Sequence, residues 1–146
     1  MLAHKAAYEA KVAVEVIAGK NTKYNPRAIP AVVFTDPEIA WCGLTENAAR
    51  KSNQKIETAK IPWRSSGRAL SLNRQDGITK LIVDPETQQL LGVGIAGPGA
   101  GELISEAVLA IEMAAIVSDI RWTIHPHPTL SETIMEAAES LYMNSN

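Results

Sequence analysis

Two histidines and a glutamate near the end of the chain are the residue types that carry out acid–base or metal chemistry. His125 and His127 lie two positions apart among prolines, and Glu132 follows five residues after His127. A carboxylate bonded to one imidazole nitrogen fixes the tautomer and favours the protonated ring, and the other nitrogen can then exchange a proton with a reacting group. The spacing therefore indicates a His–Glu proton-transfer pair.

The same residues allow two other interpretations. In an extended stretch His125 and His127 would point to the same side, so with Glu132 they could hold a metal ion. Such a site needs further ligands, and His4 is the only other histidine. The run Thr129-Leu130-Ser131-Glu132 also fits a capping box, in which Glu132 bonds back to the Thr129 backbone N–H. All three interpretations stay open on spacing alone.

A glycine pattern earlier in the chain resembles a nucleotide-binding loop. Gly92, Gly94 and Gly97 match GxGxxG, and Asp119 lies at about the distance of the acidic residue in that motif. The motif requires a second parallel strand after a crossover helix, and residues 120–124 are too short and polar for one. We therefore expect glycines that allow close backbone packing.

The remaining reactive side chains favour structural roles. Cys42 is the only cysteine, which excludes an internal disulfide and indicates a reducing compartment. We expect Cys42 to be a small core residue. The same packing role is expected for the three tryptophans, Trp41, Trp63 and Trp122. The arginines Arg64, Arg68 and Arg74 are expected to lie in a solvated loop.

Composition narrows the class of protein. The chain has 146 residues, of which 46% are hydrophobic and 21% charged, with a formal net charge of -2. These values fit one aliphatic globular domain and exclude disorder and a nucleic-acid-binding surface. The longest uncharged run is too short and too rich in glycine to cross a bilayer, and the charged first residues do not resemble a signal peptide. We expect an intracellular protein with no membrane partner.

Hydrophobic periodicity predicts the elements that must position the histidines. Helices are predicted over residues 2–17, 45–51, 103–115 and 129–141, and strands over 31–34, 39–42, 55–63, 78–83 and 90–96. Residues 64–68 are predicted to form a polar loop. The first helix has no N-cap before it, which suggests a piece of a longer protein. The order of elements predicts an α+β fold, an antiparallel sheet covered by helices.

Several of these segments resemble one enzyme family. Thr123-Ile124-His125-Pro126-His127-Pro128-Thr129-Leu130-Ser131-Glu132 closely resembles the C-terminal signature of the dihydrolipoamide dehydrogenases, flavin-dependent members of the pyridine nucleotide-disulfide oxidoreductase family. Further similarity lies in residues 1–6, 29–46, 62–69 and 101–113. The resemblance implies a dimerisation domain over residues 27–146, preceded by a stub of FAD-domain helix and connector over residues 1–26.

The resemblance also implies roles for individual residues. His127 takes the place of the acid/base and Glu132 that of the carboxylate orienting it, whereas His125 matches no role. Met1, Leu2, Ala3 and His4 take the place of the residues whose backbone contacts FAD.

The implied full-length enzyme is a homodimer that oxidises dihydrolipoamide with FAD and NAD. Its partners would be its own FAD and NAD domains and the lipoyl-bearing acyltransferase of 2-oxo acid dehydrogenase complexes, and its compartment the cytoplasm or, alternatively, the mitochondrial matrix. A single cysteine cannot form the family's redox disulfide. We therefore expect the isolated chain to be inactive and to bind no flavin tightly. The alternatives are a metal-binding module built on His125, His127 and Glu132, and a purely structural homodimerisation domain.

Overall fold

The computed structural model describes residues 2–144 and has the predicted α+β fold. The helices are α1 (Ala3–Ile17), α2 (Glu46–Lys51), α3 (Gly67–Ser71), α4 (Ala100–Glu112), α5 (Val117–Trp122) and α6 (Glu132–Asn144), with one 3-10 turn at Trp63–Ser65. The strands are β1 (Ala31–Val33), β2 (Ile39–Gly43), β3 (Glu57–Pro62), β4 (Ile78–Val83) and β5 (Leu90–Ala96).

The strands form a single five-stranded antiparallel sheet in the order β1-β2-β5-β4-β3. The predicted pairings of β1 with β2 and of β4 with β5 are confirmed. In each pair a short connection joins the two strands, which allows them to lie antiparallel. The pairing of β2 with β5 closes the sheet over a much longer separation, with Trp41 opposite Gly94. Pro62 ends the edge strand β3, where its missing N–H removes no ladder bond.

Alternate residues of the strands form the core between the sheet and two helices. Helix α4 packs on β2 and β5, and α6 packs on β3 and β4. Leu81, Ile95, Ile104 and Ile134 are almost fully buried there. Burying a large aliphatic side chain stabilises the fold by about 1.5–3 kcal/mol, so these contacts fix α6, and with it Glu132, against the sheet.

The glycine pattern lies in β5 and the turn after it, where it serves close packing. A β-carbon at Gly92 would lie 2.0 Å from the Leu44 carbonyl oxygen, and one at Gly97 would lie 2.2 Å from the Trp63 indole ring. The neighbouring strands of β5 are both antiparallel to it, so the parallel βαβ unit of a dinucleotide site does not form. The expectation of close backbone packing is confirmed at these two glycines.

Two short helices differ from the predicted elements. The predicted loop over residues 64–68 contains the 3-10 turn and the start of α3, whose first turn is capped by the Ser66 hydroxyl accepting from the Ala69 N–H. Helix α5 was not predicted, and the Asp119 carboxylate accepts from the Ile116 N–H at its start. Helices of one or two turns are too short for a hydrophobic period to be recognised.

Helix α1 is formed as predicted, but none of its residues is buried. The assignment of residues 1–26 to a separate domain stays a prediction. Within residues 2–144, no helix is long and apolar enough to cross a bilayer.

Candidate active site

The His127 imidazole lies on the open surface and is held from one side. Its Nδ1 is 2.8 Å from Oε1 of Glu132, and 78% of the His127 side chain is exposed, against 16% for Glu132. An ionised carboxylate only accepts, so the proton lies on Nδ1 of His127. The lone pair of Nε2 then points towards solvent, which is the arrangement that a base needs.

The second oxygen of Glu132 closes the turn that carries His127. Oε2 accepts from the Thr129 N–H at 2.7 Å. The Thr129 hydroxyl donates to the Pro126 carbonyl oxygen instead of capping the helix, so α6 begins at Glu132 and not at residue 129. Only half of a capping box therefore forms. The bond to His127 and this half of the cap coexist, because each uses a different oxygen of one carboxylate. The proton-transfer role of the pair stays a prediction.

Hydrogen bonds also set the charge of Glu132. The Thr129 N–H lowers the pKa of the Glu132 carboxyl, and the bond and charge of His127 lower it further, whereas burial raises it. The net shift is downward, so Glu132 is ionised at neutral pH and keeps accepting from His127.

A buried polar chain joins the start of α6 to the sheet. Trp63 Nε1 donates to Thr79 Oγ1 at 2.9 Å, and Thr79 Oγ1 lies 2.7 Å from Thr133 Oγ1. The Thr133 hydroxyl donates its proton to the Leu130 carbonyl oxygen, so Thr79 must be the donor to Thr133. Sequence reasoning missed these residues, since buried hydroxyls two elements apart leave no sequence pattern.

His125 is buried against Glu106 whereas His127 is exposed beside Glu132, which corrects the prediction that both rings point to the same side. Its side chain is only 4% exposed, with Nε2 2.7 Å from Oε1 of Glu106 on α4 and Nδ1 2.9 Å from the Thr123 carbonyl oxygen. The chain bends at residues 127–128, so the two-residue alternation of an extended strand does not apply.

The residues predicted to bind a metal ion do not form a common site. Both ring nitrogens of His125 face protein oxygens, and Glu132 is shared between His127 and Thr129. Across the part of the chain that the structure describes, no three His, Cys, Asp or Glu side chains gather around a common point. The two histidines are instead bonded to different glutamates, His125 to Glu106 and His127 to Glu132.

The residues predicted to contact FAD lie at the start of α1. Met1 is outside the described residues. Leu2 is the N-cap residue of α1 and Ala3 is the first residue of the helix, and both are exposed. The first turn has no side-chain cap. His4 Nε2 bonds the Pro30 carbonyl oxygen at 2.7 Å and lines a cavity of about 460 Å³ between α1 and the connector. The predicted cofactor contact stays a prediction.

The expected packing roles are confirmed for Cys42 and Trp63. Cys42 is 1% exposed, and burial raises the pKa of its thiol to about 12, so it is an inert core residue. Trp63 is fully buried. Trp122 differs, since it is exposed with the Arg121 guanidinium 4.5 Å from its ring centroid.

Arg74 differs from the expected solvated residue, because it forms ion pairs. Arg74 pairs with Asp36 and Asp76, which joins the β1–β2 turn to the loop before β4. The charge of Arg74 is thereby matched by two carboxylates.

The chain is similar to known proteins in sequence and in fold. A dihydrolipoyl dehydrogenase from Thermus scotoductus is 54% identical over 142 residues, which cover 97% of this chain and 31% of that protein. The structure of LpdA from Mycobacterium tuberculosis matches with a TM-score of 0.89 at 29% identity, over 96% of this chain and 31% of that one. The HOCl-induced flavoprotein disulfide reductase RclA from Escherichia coli matches with a TM-score of 0.82 at 26% identity, over 88% of this chain and 30% of that one.

The chain thus spans about a third of the length of the proteins it matches. Residues 29–138 match the family described as pyridine nucleotide-disulphide oxidoreductase, dimerisation domain. This range includes the whole sheet, α4, α5 and both members of the His127–Glu132 pair. The chain belongs to the dimerisation-domain family of the pyridine nucleotide-disulphide oxidoreductases.

Proposed function

We propose that this chain is the dimerisation domain of a dihydrolipoyl dehydrogenase and supplies the acid/base of the complete enzyme. The observation that carries the proposal is the bond between His127 Nδ1 and Glu132 Oε1, which leaves Nε2 free on an open surface. The names of the relatives and the resemblance of residues 123–132 supply the substrate class.

His127 acts on the thiol of the reduced substrate. Thiolate is the attacking form of sulfur, and a thiol with a pKa of about 8.5 is mostly protonated at neutral pH. His127 Nε2 takes that proton, and the thiolate attacks the redox disulfide of the enzyme, displacing one of its sulfurs as a second thiolate. The proton stays on an imidazolium that the Glu132 carboxylate stabilises. Glu132 therefore assists without carrying the proton itself.

The reacting disulfide comes from a second subunit in this proposal. A base that is 78% exposed must be covered by another surface before it can work in a water-poor site. Exposed apolar side chains lie on α4 and in and after α5, namely Leu109, Met113, Trp122 and Ile124. These features support a homodimer in which each His127 serves the partner subunit's disulfide.

FAD and NAD belong to the complete enzyme, and the chain fits only an edge of the flavin site. The exposed first turn of α1 has no side-chain cap, so its N–H groups are free to donate to an acceptor atom. We assign this contact to Leu2, Ala3 and His4, with Met1 beside them, and residues 1–26 to the FAD domain. When bound, FAD supplies the two-electron acceptor for the dithiol and NAD+ the final hydride acceptor.

The partners follow from the substrate class. A dihydrolipoamide group is carried on the lipoyl-bearing acyltransferase of a 2-oxo acid dehydrogenase complex, and we propose that protein as the partner of the dimer. We propose a cytoplasmic enzyme, because the chain has a single cysteine and uses no internal disulfide for stability.

Steady-state assay of NADH formation tests the proposal. The complete enzyme forms NADH from dihydrolipoamide and NAD+, and the 146-residue chain alone forms none, since it has one buried cysteine. In the complete enzyme, His127→Gln lowers kcat by about 10²–10⁴. Arg64→Gln, a change at an exposed residue of the 3-10 turn before α3, serves as the control and leaves kcat unchanged. A loss below about tenfold for His127→Gln removes His127 from the acid/base role.

A further inference from the structure

The segment between α5 and α6 has no regular secondary structure, yet it carries the exposed His127. An irregular segment keeps one orientation only where side chains fasten it. Glu132 fastens its end, through His127 and the Thr129 N–H. Its beginning is bonded to α5, where the Thr123 hydroxyl donates to the Asp119 carbonyl oxygen. A second attachment, to α4, lies at His125.

The His125 ring attaches this segment to α4. It is buried, and its Nε2 reaches Glu106 on α4 at 2.7 Å. Helix α4 packs on three strands of the sheet, so Glu106 extends from a fixed element. Among the hydrogen bonds of residues 2–144 that involve the segment over residues 123–131, the bond from His125 to Glu106 is the one that joins it to α4.

The two oxygen acceptors around His125 determine where the protons of its ring lie. The Thr123 carbonyl oxygen can only accept, so Nδ1 carries a proton. Nε2 faces a carboxylate oxygen, so a proton also lies between Nε2 and Oε1 of Glu106. Both nitrogens are thereby used, and the ring cannot rotate without losing two hydrogen bonds. His125 is therefore locked, and it has no free nitrogen for substrate.

Two short links carry this orientation from His125 to His127. Pro126 lies between the two histidines, and its ring fixes one backbone angle. The Thr129 hydroxyl donates to the Pro126 carbonyl oxygen, which ties the same residue to the turn closed by Glu132. The charge of His125 also contributes to lowering the pKa of Glu132.

We infer that His125 and Glu106 are positioning residues, which anchor the segment to α4 and aim Nε2 of His127. This inference rests on the proposed function, because aim matters only if His127 exchanges a proton with a substrate. A displacement of about 1 Å can cost about a hundredfold in rate, so a loosened anchor lowers kcat while the ability to bind substrate remains.

Three variants of the complete enzyme test the inference. His125→Phe keeps an aromatic ring, slightly larger than imidazole, without hydrogen bonds, and Glu106→Ala removes the carboxylate alone. Both lower kcat about tenfold and leave KM within about twofold. Glu106→Gln restores kcat to within about twofold of the parent, because its amide can donate to Nε2 while Nδ1–H still donates to Thr123. Should His125→Phe fail to fold, Glu106→Ala carries the test, since the Glu106 side chain is 37% exposed.

Nitrogen-15 NMR of the imidazole rings gives a second readout that needs no catalysis. In the parent, His127 is protonated at Nδ1 when neutral, and in Glu106→Ala its signals move towards a mixture of the two tautomers. Parent kcat and an unchanged His127 tautomer in Glu106→Ala would overturn the positioning role. If His127→Gln itself left kcat intact, the proposed function would fail, and the NMR result would still decide whether Glu106 orients His127.

Discussion

Two His–Glu pairs lie two residues apart in the chain and have opposite chemical characters. His127 and His125 are 2.8 Å and 2.7 Å from their glutamates. The first ring is 78% exposed with one nitrogen free, and the second is 4% exposed with both nitrogens bonded. The residue pair alone therefore does not make an acid/base. The number of nitrogens left without a protein partner decides which pair can exchange a proton and which can only hold structure.

Chemical modification of the histidines gives the largest expected difference between the pairs. Diethyl pyrocarbonate attacks the lone pair of a neutral ring nitrogen, which His127 exposes and His125 does not. We expect His127 to react about a hundredfold faster, the ratio that a local opening free energy of about 2.7 kcal/mol would give. Peptide mass spectrometry of the modified chain measures both rates. Equal rates would show that the His125 ring is as accessible as that of His127.

Substitutions in the buried His125–Glu106 pair should lower the stability of the fold more than substitution of the exposed His127. Glu106→Ala leaves a buried imidazole without its acceptor and is expected to lower the free energy of unfolding by about 1–3 kcal/mol. His127→Ala removes an exposed ring and is expected to change it by no more than about 0.5 kcal/mol. Urea unfolding of the chain measures both values. A larger loss for His127→Ala would contradict the assignment of the anchoring role to His125.

The smallest expected effect is the pH dependence of the contribution that Glu132 makes to the free energy of unfolding. Its pKa is lowered in the fold, so its stabilisation is present above the unfolded pKa of about 4.3 and is lost as the pH falls through the folded value. Glu132→Ala is expected to cost about 1 kcal/mol at pH 7, as for the loss of a helix cap, and progressively less below about pH 4. Urea unfolding at a series of pH values measures this.

Glu136, one turn further along α6, is the matched control for that experiment. Burial and the charge of Glu132 raise the pKa of Glu136, so its ionisation opposes folding as the pH rises. Glu136→Gln is expected to raise the free energy of unfolding at pH 7 by up to about 0.5 kcal/mol, with no gain at low pH. Parallel pH curves for the parent and Glu132→Ala would show that Glu132 is not perturbed by folding.

Local patterns predicted most of the fold. Apolar segments on either side of a turn identified β4 and β5, and helical spacing identified α4, because each pattern is complete within a short stretch of the chain. The short helices α3 and α5 were missed because capping and packing stabilise them without a recognisable period. The pairing of β2 with β5 likewise depends on contacts between segments that are distant in the chain.

In the candidate site, too, the sequence predicts contacts between residues close in the chain and not those between distant residues. The pairing of His127 with Glu132 was predictable because both residues lie within one turn and one helix start. The bond from His125 to Glu106 joins residues 19 apart, and the hydroxyl contact of Thr79 with Thr133 joins residues 54 apart. No spacing rule links such residues, so the supports of the site became visible only with the fold.

The buried Trp63 also gives the protein a built-in optical probe. Its indole is shielded from solvent and bonded through Thr79 to Thr133, the residue after Glu132, whereas Trp122 is largely exposed. Emission from Trp63 should therefore be blue-shifted and resistant to quenching by iodide. A loss of that protection would report that the first turn of α6 has separated from the sheet, even in a sample where no substrate is turned over.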